Sequence, residues 1–185
     1  MKKFGKMIIV ILLLLSAVSC SAQKPSDVVN KYLKSITQNV SKVVSEETID
    51  STDGGQKILD IITESMDDFD YEILNEEIDG DEAVVKVKIT TYGYGTAIVN
   101  TYRDFLSQAF ALALGGASEE MLQSMLYEIF AEKVQEEIDK GKTYTGTVSI
   151  VLTKQDGKWA VPEEVSSELQ NAIMGNMLKM IESME

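Results

Sequence analysis

The sequence contains no histidine and a single cysteine, and both shortages restrict its chemistry. Without histidine the chain cannot build serine–histidine or cysteine–histidine nucleophile pairs, and it lacks the commonest ligand of zinc, copper and iron sites. With Cys20 alone, no disulfide can form within the chain, so the folded part must depend on its core. Carboxylate, tyrosine, lysine or calcium chemistry remains available, and no cofactor or metal is indicated.

Basic residues are also scarce. Lysine and arginine total 17 against 30 acidic residues, which gives a formal net charge of −13. A surface this acidic repels nucleic acid and anionic lipid head groups, so we expect no nucleic-acid partner and no electrostatic binding to a membrane.

The amino terminus has the pattern of a secretory signal peptide. Three lysines fall within the first six residues, an unbroken apolar run covers Met7–Leu15, and small residues lead into Cys20. The apolar run is too short to span a bilayer, because a transmembrane helix needs roughly 20 such residues. An ordinary secreted protein cleaved near this point, or an uncleaved short anchor, is the alternative.

The segment Ala17-Val18-Ser19-Cys20 resembles a bacterial lipobox, although leucine is usual where Ala17 stands. The resemblance implies that residues 1–19 are removed, that Cys20 is acylated, with palmitate among the acyl groups, and that the protein is tethered to the extracytoplasmic face of the cell membrane. Since residues 1–19 carry three lysines and no acid, the mature net charge becomes −16. Residues 20–24 then form a short tether, and residues 25–185 are long enough for one domain.

Periodicity divides the domain into helices and strands. Pro25-Ser26-Asp27 predicts a helix start with Ser26 as the N-cap, and a second short helix is predicted at 58–66 after a loop at 46–55. Apolar residues then alternate on both sides of Asp79-Gly80, and again on both sides of Asp156-Gly157, which predicts two β-hairpins.

Between the hairpins the apolar period becomes helical. A stripe from Tyr102 to Leu114 stops at Gly115-Gly116, and a second stripe restarts after Ser118 and ends at Lys140-Gly141, which predicts a helix pair over about 96–140. A last single helix is predicted from Pro162 nearly to the terminus. We therefore expect an α+β fold, in which a mostly antiparallel sheet of about four strands in two hairpins packs against N-terminal, inserted and C-terminal helices.

Three segments carry a family resemblance: Pro-Ser-Asp-Val-Val at 25–29, Asp-Gly-Asp-Glu-Ala-Val-Val at 79–85 and Asp-Gly-Lys-Trp-Ala-Val at 156–161. They resemble nuclear transport factor 2-like domains and, more narrowly, small lipoproteins of unknown function from Gram-positive bacteria. The resemblance implies a cystatin-like, cone-shaped α+β domain whose sheet has a concave side. The helix pair departs from the simplest version of that fold, which hosts enzymes, binders and scaffolds alike.

Four residues are candidates for a ligand pocket: Tyr92, Tyr94, Tyr102 and Arg103. Tyrosines at a strand exit can line a cavity, and Arg103, the sole arginine, can grip a carboxylate or phosphate. The alternatives are a simple strand exit and a structural ion pair. Clusters of acids at 67–72 and 76–82 lack calcium-loop spacing and are predicted to be solvated surface.

Methionines recur at helical spacing on the second inserted helix and on the last helix, where they are typical of a core. The segment from Met177 to Met184 could instead offer an apolar face to a partner.

Three functions therefore remain open. The leading hypothesis is a lipid-anchored, non-catalytic domain that binds a small apolar ligand or an envelope protein through the concave side of its sheet. The second is an enzyme that uses carboxylates and tyrosine there. The third is an interaction protein that joins an envelope complex through its methionine-rich helices.

Overall fold

The computed structural model describes residues 23–37, 61, 65–162 and 165–184. The signal peptide, Cys20, the predicted loop at 46–55 and most of the predicted second helix lie outside these residues, although 61 and 65–66 are helical. The described elements, in chain order, are α1 (Pro25–Thr37), β1 (Asp70–Asp79), β2 (Glu82–Thr91), α2 (Tyr94–Leu114), α3 (Glu119–Asp139), β3 (Tyr144–Gln155), β4 (Lys158–Ala160), α4 (Ser167–Ile173) and α5 (Met177–Glu182). Within these residues, no helix has the length and apolar character needed to cross a bilayer.

The described strands form one antiparallel sheet in the order β1-β2-β3-β4. Asp79 and Asp156 stand at the two predicted turns, where Gly80 and Gly157 adopt positive φ angles. The predicted α+β class and both hairpins are thus confirmed. The inserted helix pair connects the central strands β2 and β3.

One face of the sheet carries the core. Alternate residues of the two central strands are buried, and the helices α1 and α4 pack against these strands. The buried strand residues on this face include Ala83, Val85, Val87, Ile89, Val148, Ile150 and Leu152. The opposite face of β3 presents exposed threonine, serine and valine side chains, as expected for a sheet covered on one side.

The first helix begins differently from the prediction. Pro25 is already helical, the carbonyl of Lys24 accepts from the N–H of Val28 at 3.3 Å, and Ser26 is therefore not the N-cap. The Ser26 N–H instead donates to Glu76 Oε2 on β1 at 2.7 Å. A register shift between Ile73 and Asn75 turns Glu76 toward the helix side of the sheet, where its charge suits the helix N-terminus.

The inserted helix pair follows the predicted boundaries closely. α2 ends at the Gly115-Gly116 break, and Ser118 caps α3 by accepting from the Met121 N–H at 3.3 Å. α3 ends at Asp139, with Lys140 as its C-cap before Gly141. α2 packs against α3 and α5 rather than extensively against the strands.

The last helix is not continuous, which corrects the prediction of a single helix. α4 and α5 are separated by Gly175 and Asn176, whose φ angles are +54° and +69°. Gly175 lies against the β2–α2 junction: its carbonyl accepts from the Gly95 N–H at 3.0 Å, and a Cβ added to it would lie 2.1 Å from the Tyr92 carbonyl oxygen. The chain must therefore kink here to let two backbone segments approach each other.

Candidate functional site

The structure distributes the four predicted pocket residues over three environments. Tyr94 is fully buried in the core, and its hydroxyl donates to Ser65 Oγ at 2.7 Å. Tyr92 packs edge-on against Tyr94, with ring centroids 6.0 Å apart, and lines a surface groove. Tyr102 and Arg103 lie further along α2 with exposed side chains, and Arg103 Nε is 3.3 Å from Asp104 Oδ1. The four side chains are not brought together in one pocket.

The groove beside Tyr92 contains a polar cluster. Asp68 is at its centre: Oδ1 accepts from Lys142 Nζ at 2.7 Å, and Oδ2 accepts from the Tyr92 hydroxyl at 2.7 Å. Lys142 Nζ also lies 3.1 Å from Asp70 Oδ2. The groove is about 300 Å³ in volume, and Ile61 and Ile138 contribute apolar walls. Sequence reasoning missed Lys142, because it is 74 residues from its partner Asp68.

These contacts perturb the protonation of the cluster. The hydrogen bonds from Lys142 and then from Tyr92 lower the pKa of Asp68, and the same hydrogen bond from Tyr92 to Asp68 raises the pKa of Tyr92. Burial by itself lowers the pKa of Lys142, because it disfavours the charged amine. The contacts with the carboxylates of Asp68 and Asp70 have a larger combined effect, so the pKa of Lys142 is raised. Each group is thus held in its ordinary charge state at neutral pH.

In the described part of the chain, no group of three or more acidic side chains is arranged to hold a metal ion. The acids at 67–72 and 76–82 lie on exposed or half-exposed positions, and several of them pair with lysines.

A second surface lies on the helical hairpin formed by α2 and α3. Apolar side chains recur along one side of α2 at intervals of three and four residues, and all of them are exposed. Phe110 and Leu114 are exposed to 72% and 77% of their surface. We call this set the α2 stripe; its members are Val99, Tyr102, Leu106, Phe110 and Leu114.

The α2 stripe is comparable in area to the largest apolar patch of a typical monomer. Its exposed fractions correspond to roughly 500 Å² of side-chain area, and the largest apolar patch of a typical monomer is about 300–600 Å² and often functional. The distal part of the stripe is also free of charged neighbours along the chain, since residues 105–118 contain no acid and no base. From the sequence, the apolar residues from Tyr102 to Leu114 predicted only a helix, and the charge-free stretch was the signal that could have identified an exposed apolar side.

The two halves of the hairpin differ in burial. Its base belongs to the core, because Tyr94, Ala97 and Val134 are buried there. Residues 102–128, all of them described, include no buried residue. At 1.5 Å per residue, α2 therefore extends roughly 20 Å beyond its last buried residue, Thr101.

A polar contact ties the two helices together on the side away from the stripe. Lys133 of α3 lies 3.4 Å from Asp104 Oδ2 of α2 and 2.8 Å from Glu136 Oε1. The side chain of Lys133 is mostly buried against α2, so the contact fixes the pairing of the helices where they leave the core. With the Gly95–Gly175 contact at its base, the hairpin presents the α2 stripe on a fixed support.

The hairpin and the start of α1 lie toward opposite ends of the sheet. Ser26 of α1 is held by Glu76, which pairs with Val85 early in β2, whereas α2 follows Thr91 at the other end of that strand. Six residues of β-strand between these points correspond to roughly 20 Å. A tether attached before Pro25 would therefore approach the domain from the end remote from the hairpin base.

The methionines of the C-terminal segment pack as the core interpretation predicts, and not as the free apolar face that was its alternative. Met177 is buried, and Met174, Met180 and Met184 are half-buried. They fill space beside α2 and the sheet because the kink at Gly175 folds α5 back toward α2. Met121, which is exposed to solvent near the start of α3, is the methionine that adds to the apolar surface of the hairpin.

Comparison with known proteins gives little further guidance. The chain matches no protein-family model and no curated protein sequence. A crystal structure of the Bacillus subtilis protein ycdA, which is named provisionally as a lipoprotein, is similar at 15% sequence identity with a TM-score of 0.45. The match covers 81% of this chain and 46% of the ycdA chain, so this chain spans about half the length of that protein. The resemblance to nuclear transport factor 2-like domains stays a prediction.

Proposed function

We propose that this protein is a lipid-anchored, non-catalytic interaction protein on the extracytoplasmic face of a bacterial membrane, and that it binds a partner protein through the α2 stripe. The lipid anchor rests on the sequence around Cys20. The observation that carries the binding function is the exposure of five apolar side chains along one side of a helix whose base is fixed in the core.

The sequence analysis predicted a different binding surface, the concave side of the sheet, and the structure supports a binding role there less well. Its central-strand residues are buried, with α1 and α4 packed against them. Three surface grooves lined by described residues measure about 300, 210 and 150 Å³, at or below the bottom of the range for small-molecule sites. A projecting helix with an apolar side instead suits a groove on another protein, which is a recurrent mode of helix recognition.

The position of the hairpin favours a protein over the anchoring bilayer. The tether would reach the domain at the end of the sheet remote from the hairpin base, so the hairpin leaves the domain from the end directed away from the lipid. The uncharged distal segment at 105–118 calls for a neutral, apolar surface on the partner. A second copy is disfavoured as that partner by the net charge of −13 on each chain.

The polar cluster at Asp68 supports an enzyme less well than the stripe supports binding. Both oxygens of Asp68 are occupied by hydrogen bonds, and the resulting shift lowers the pKa of this carboxyl. A general base that works near neutral pH needs a pKa closer to neutrality. The raised pKa of Tyr92 likewise makes its hydroxyl a weaker acid at neutral pH.

Site-specific photo-crosslinking in intact cells tests the proposal. p-Benzoylphenylalanine placed at position 110 lies on the α2 stripe, and the same group at position 108 lies about 160° around the helix and is also exposed. We expect one envelope protein to be captured from position 110 and not from position 108. Purified, that protein should bind the full-length chain and should lose binding to the Phe110→Ser variant.

Other results would contradict the proposal. Crosslinks between two copies would make the stripe a homodimer interface, and crosslinks to lipid from position 110 would place the hairpin in the bilayer. Equal capture from positions 108 and 110 would show proximity without recognition. Phe110→Ser should leave the stability of the protein within about 0.5 kcal/mol of the original value, because Phe110 lies at the surface.

A further inference from the structure

We propose a second binding site, at the free edge of β3, which accepts an extended, neutral or basic segment of another protein as an additional strand. The inference is independent of the α2 stripe, because it depends on backbone groups of the sheet and on no residue of the hairpin.

The pairing of β3 is unequal on its two sides. β2 pairs with β3 continuously from Tyr144 to Thr153, whereas β4 pairs with it only from Thr153 to Gln155. Nine residues of β3, Tyr144–Leu152, therefore have a strand neighbour on one side only among the residues that the structure describes.

The direction of the free backbone groups follows from one hydrogen bond. The Lys154 N–H donates to the Asp81 carbonyl at 2.8 Å, so the N–H of Lys154 points toward β2. Because backbone groups alternate in direction along an antiparallel strand, the odd-numbered residues point their N–H and C=O groups away from β2. These residues are Thr145, Thr147, Ser149 and Val151, and none of them makes a backbone hydrogen bond on that side within the described part of the chain.

The composition of this edge differs from that of the other edge of the sheet. Residues 143–153 contain no charge and no proline, and most of them are β-branched or aromatic. β1, at the other edge, carries a register shift and five acids, which are devices that prevent strand addition. The side chains at the four free positions of β3 are also exposed, so solvent reaches this strand.

A groove of about 150 Å³ runs between this edge and the C-terminal helices. Gly146, Thr147 and Val148 form its strand side, and Glu168 of α4 and Lys179 of α5 lie on its helix side. The groove borders β3 only at residues 144–148 and is too small to hold a strand, but it can accept a side chain of a strand added along β3. Side-chain pockets beside a paired edge are typical of peptide recognition by strand addition. The net charge of −13 favours a neutral or basic segment and opposes a second copy.

A designed peptide tests the site directly. The probe is fluorescein-labelled Lys-Thr-Val-Thr-Val-Thr-Lys, capped at its C-terminus, and it is titrated with full-length protein in detergent while anisotropy is measured. The control peptide has the same side chains with N-methyl groups at alternate residues, which remove the donors needed for pairing. We expect saturable binding of the probe with a Kd on the order of 100 µM and no binding of the N-methylated peptide.

Two substitutions at one position separate backbone from side-chain recognition. Ser149→Pro removes an N–H that points away from β2, as edge prolines do, and Ser149→Ala keeps it. Loss of one hydrogen bond should weaken probe binding about tenfold in Ser149→Pro, while Ser149→Ala stays within about twofold. Thermal melting verifies folding, and Thr147→Pro is the second variant. The comparison of the probe with the N-methylated peptide uses the unaltered protein. It therefore tests for backbone pairing even if both proline variants unfold.

Several results would overturn the inference: no saturable binding up to about 1 mM, equal binding of the N-methylated peptide, or equal weakening by Ser149→Ala. A dimer of the protein alone that Ser149→Pro dissociates would identify a second copy as the occupant instead. Phe110→Ser should leave binding of the probe peptide unchanged. Weaker binding by this variant would mean that the peptide binds at the α2 stripe instead of at β3.

Discussion

The contact between Gly175 and Tyr92 makes one substitution unusually informative. In Gly175→Ala, the new Cβ would lie 2.1 Å from the Tyr92 carbonyl oxygen and 3.0 Å from the Tyr94 nitrogen. These are backbone atoms, so no side-chain rotation relieves the contact. The φ angle of +54° adds a conformation that alanine adopts only at a cost.

Three effects contribute to the expected loss of stability. The left-handed conformation costs about 1–2 kcal/mol for a residue with a Cβ. Moving the two segments apart removes the 3.0 Å hydrogen bond from Gly95 to Gly175, worth about 1 kcal/mol, and loosens the packing of the neighbouring Tyr94. We therefore expect Gly175→Ala to lower the free energy of unfolding by roughly 3–5 kcal/mol, a loss of about 10 °C in melting temperature.

Gly80→Ala is the matched control. Gly80 has a similar φ angle, +61°, but a Cβ added there would meet nothing within 4 Å. Gly80→Ala should lower the free energy of unfolding only by the conformational cost of about 1–2 kcal/mol. Urea and thermal unfolding of both variants, with hydrogen exchange of the first turn of α2, measure the difference. Equal destabilisation by the two substitutions would refute the idea that the Gly175 contact fixes the base of the hairpin.

Two further predictions concern other parts of the molecule. Burial raises the pKa of Tyr94 to about 12, so the contribution of the neutral tyrosine to stability is complete below the ordinary pKa of 10 and is lost as the pH rises from 10 to 12. In Tyr94→Phe, this fall in the free energy of unfolding between pH 10 and 12 should disappear. An unchanged fall would contradict the assignment to Tyr94. Cys20→Ser should release the protein from the membrane fraction of intact cells after cell fractionation, and retention there would show that the lipoprotein prediction is wrong.

The sheet could be predicted because its signals are local. Asp79-Gly80 and Asp156-Gly157 each fix a turn, and the alternation on either side of them fixes which face is buried. Glu76 shows the limit of this reasoning. A register shift moves it to the helix side of the sheet, and only the folded chain brings it to the N-terminus of α1, 50 residues away.

The candidate surfaces are harder to predict from the sequence. The spacing of apolar residues shows which side of a helix or strand is apolar, but it does not show whether another part of the protein covers that side. The pattern of Leu106, Phe110 and Leu114 is the same whether a neighbour packs on it or solvent meets it. The break in the last helix is similar, since Gly175 follows a helical stripe and the reason for the kink is the approach of Tyr92 from another part of the chain.

The distribution of charge explains how the two proposed surfaces can stay exposed in one molecule. An apolar stripe and an uncharged sheet edge are both liable to bind identical copies. The acids lie outside the distal part of the stripe and outside the β3 strand itself, since residues 105–118 and 143–153 carry none of them. Two approaching copies therefore repel each other through the rest of their surface, whereas a neutral or basic partner does not meet that barrier. We therefore expect the acidity that predicts no nucleic-acid ligand to select also which proteins can reach the two proposed surfaces.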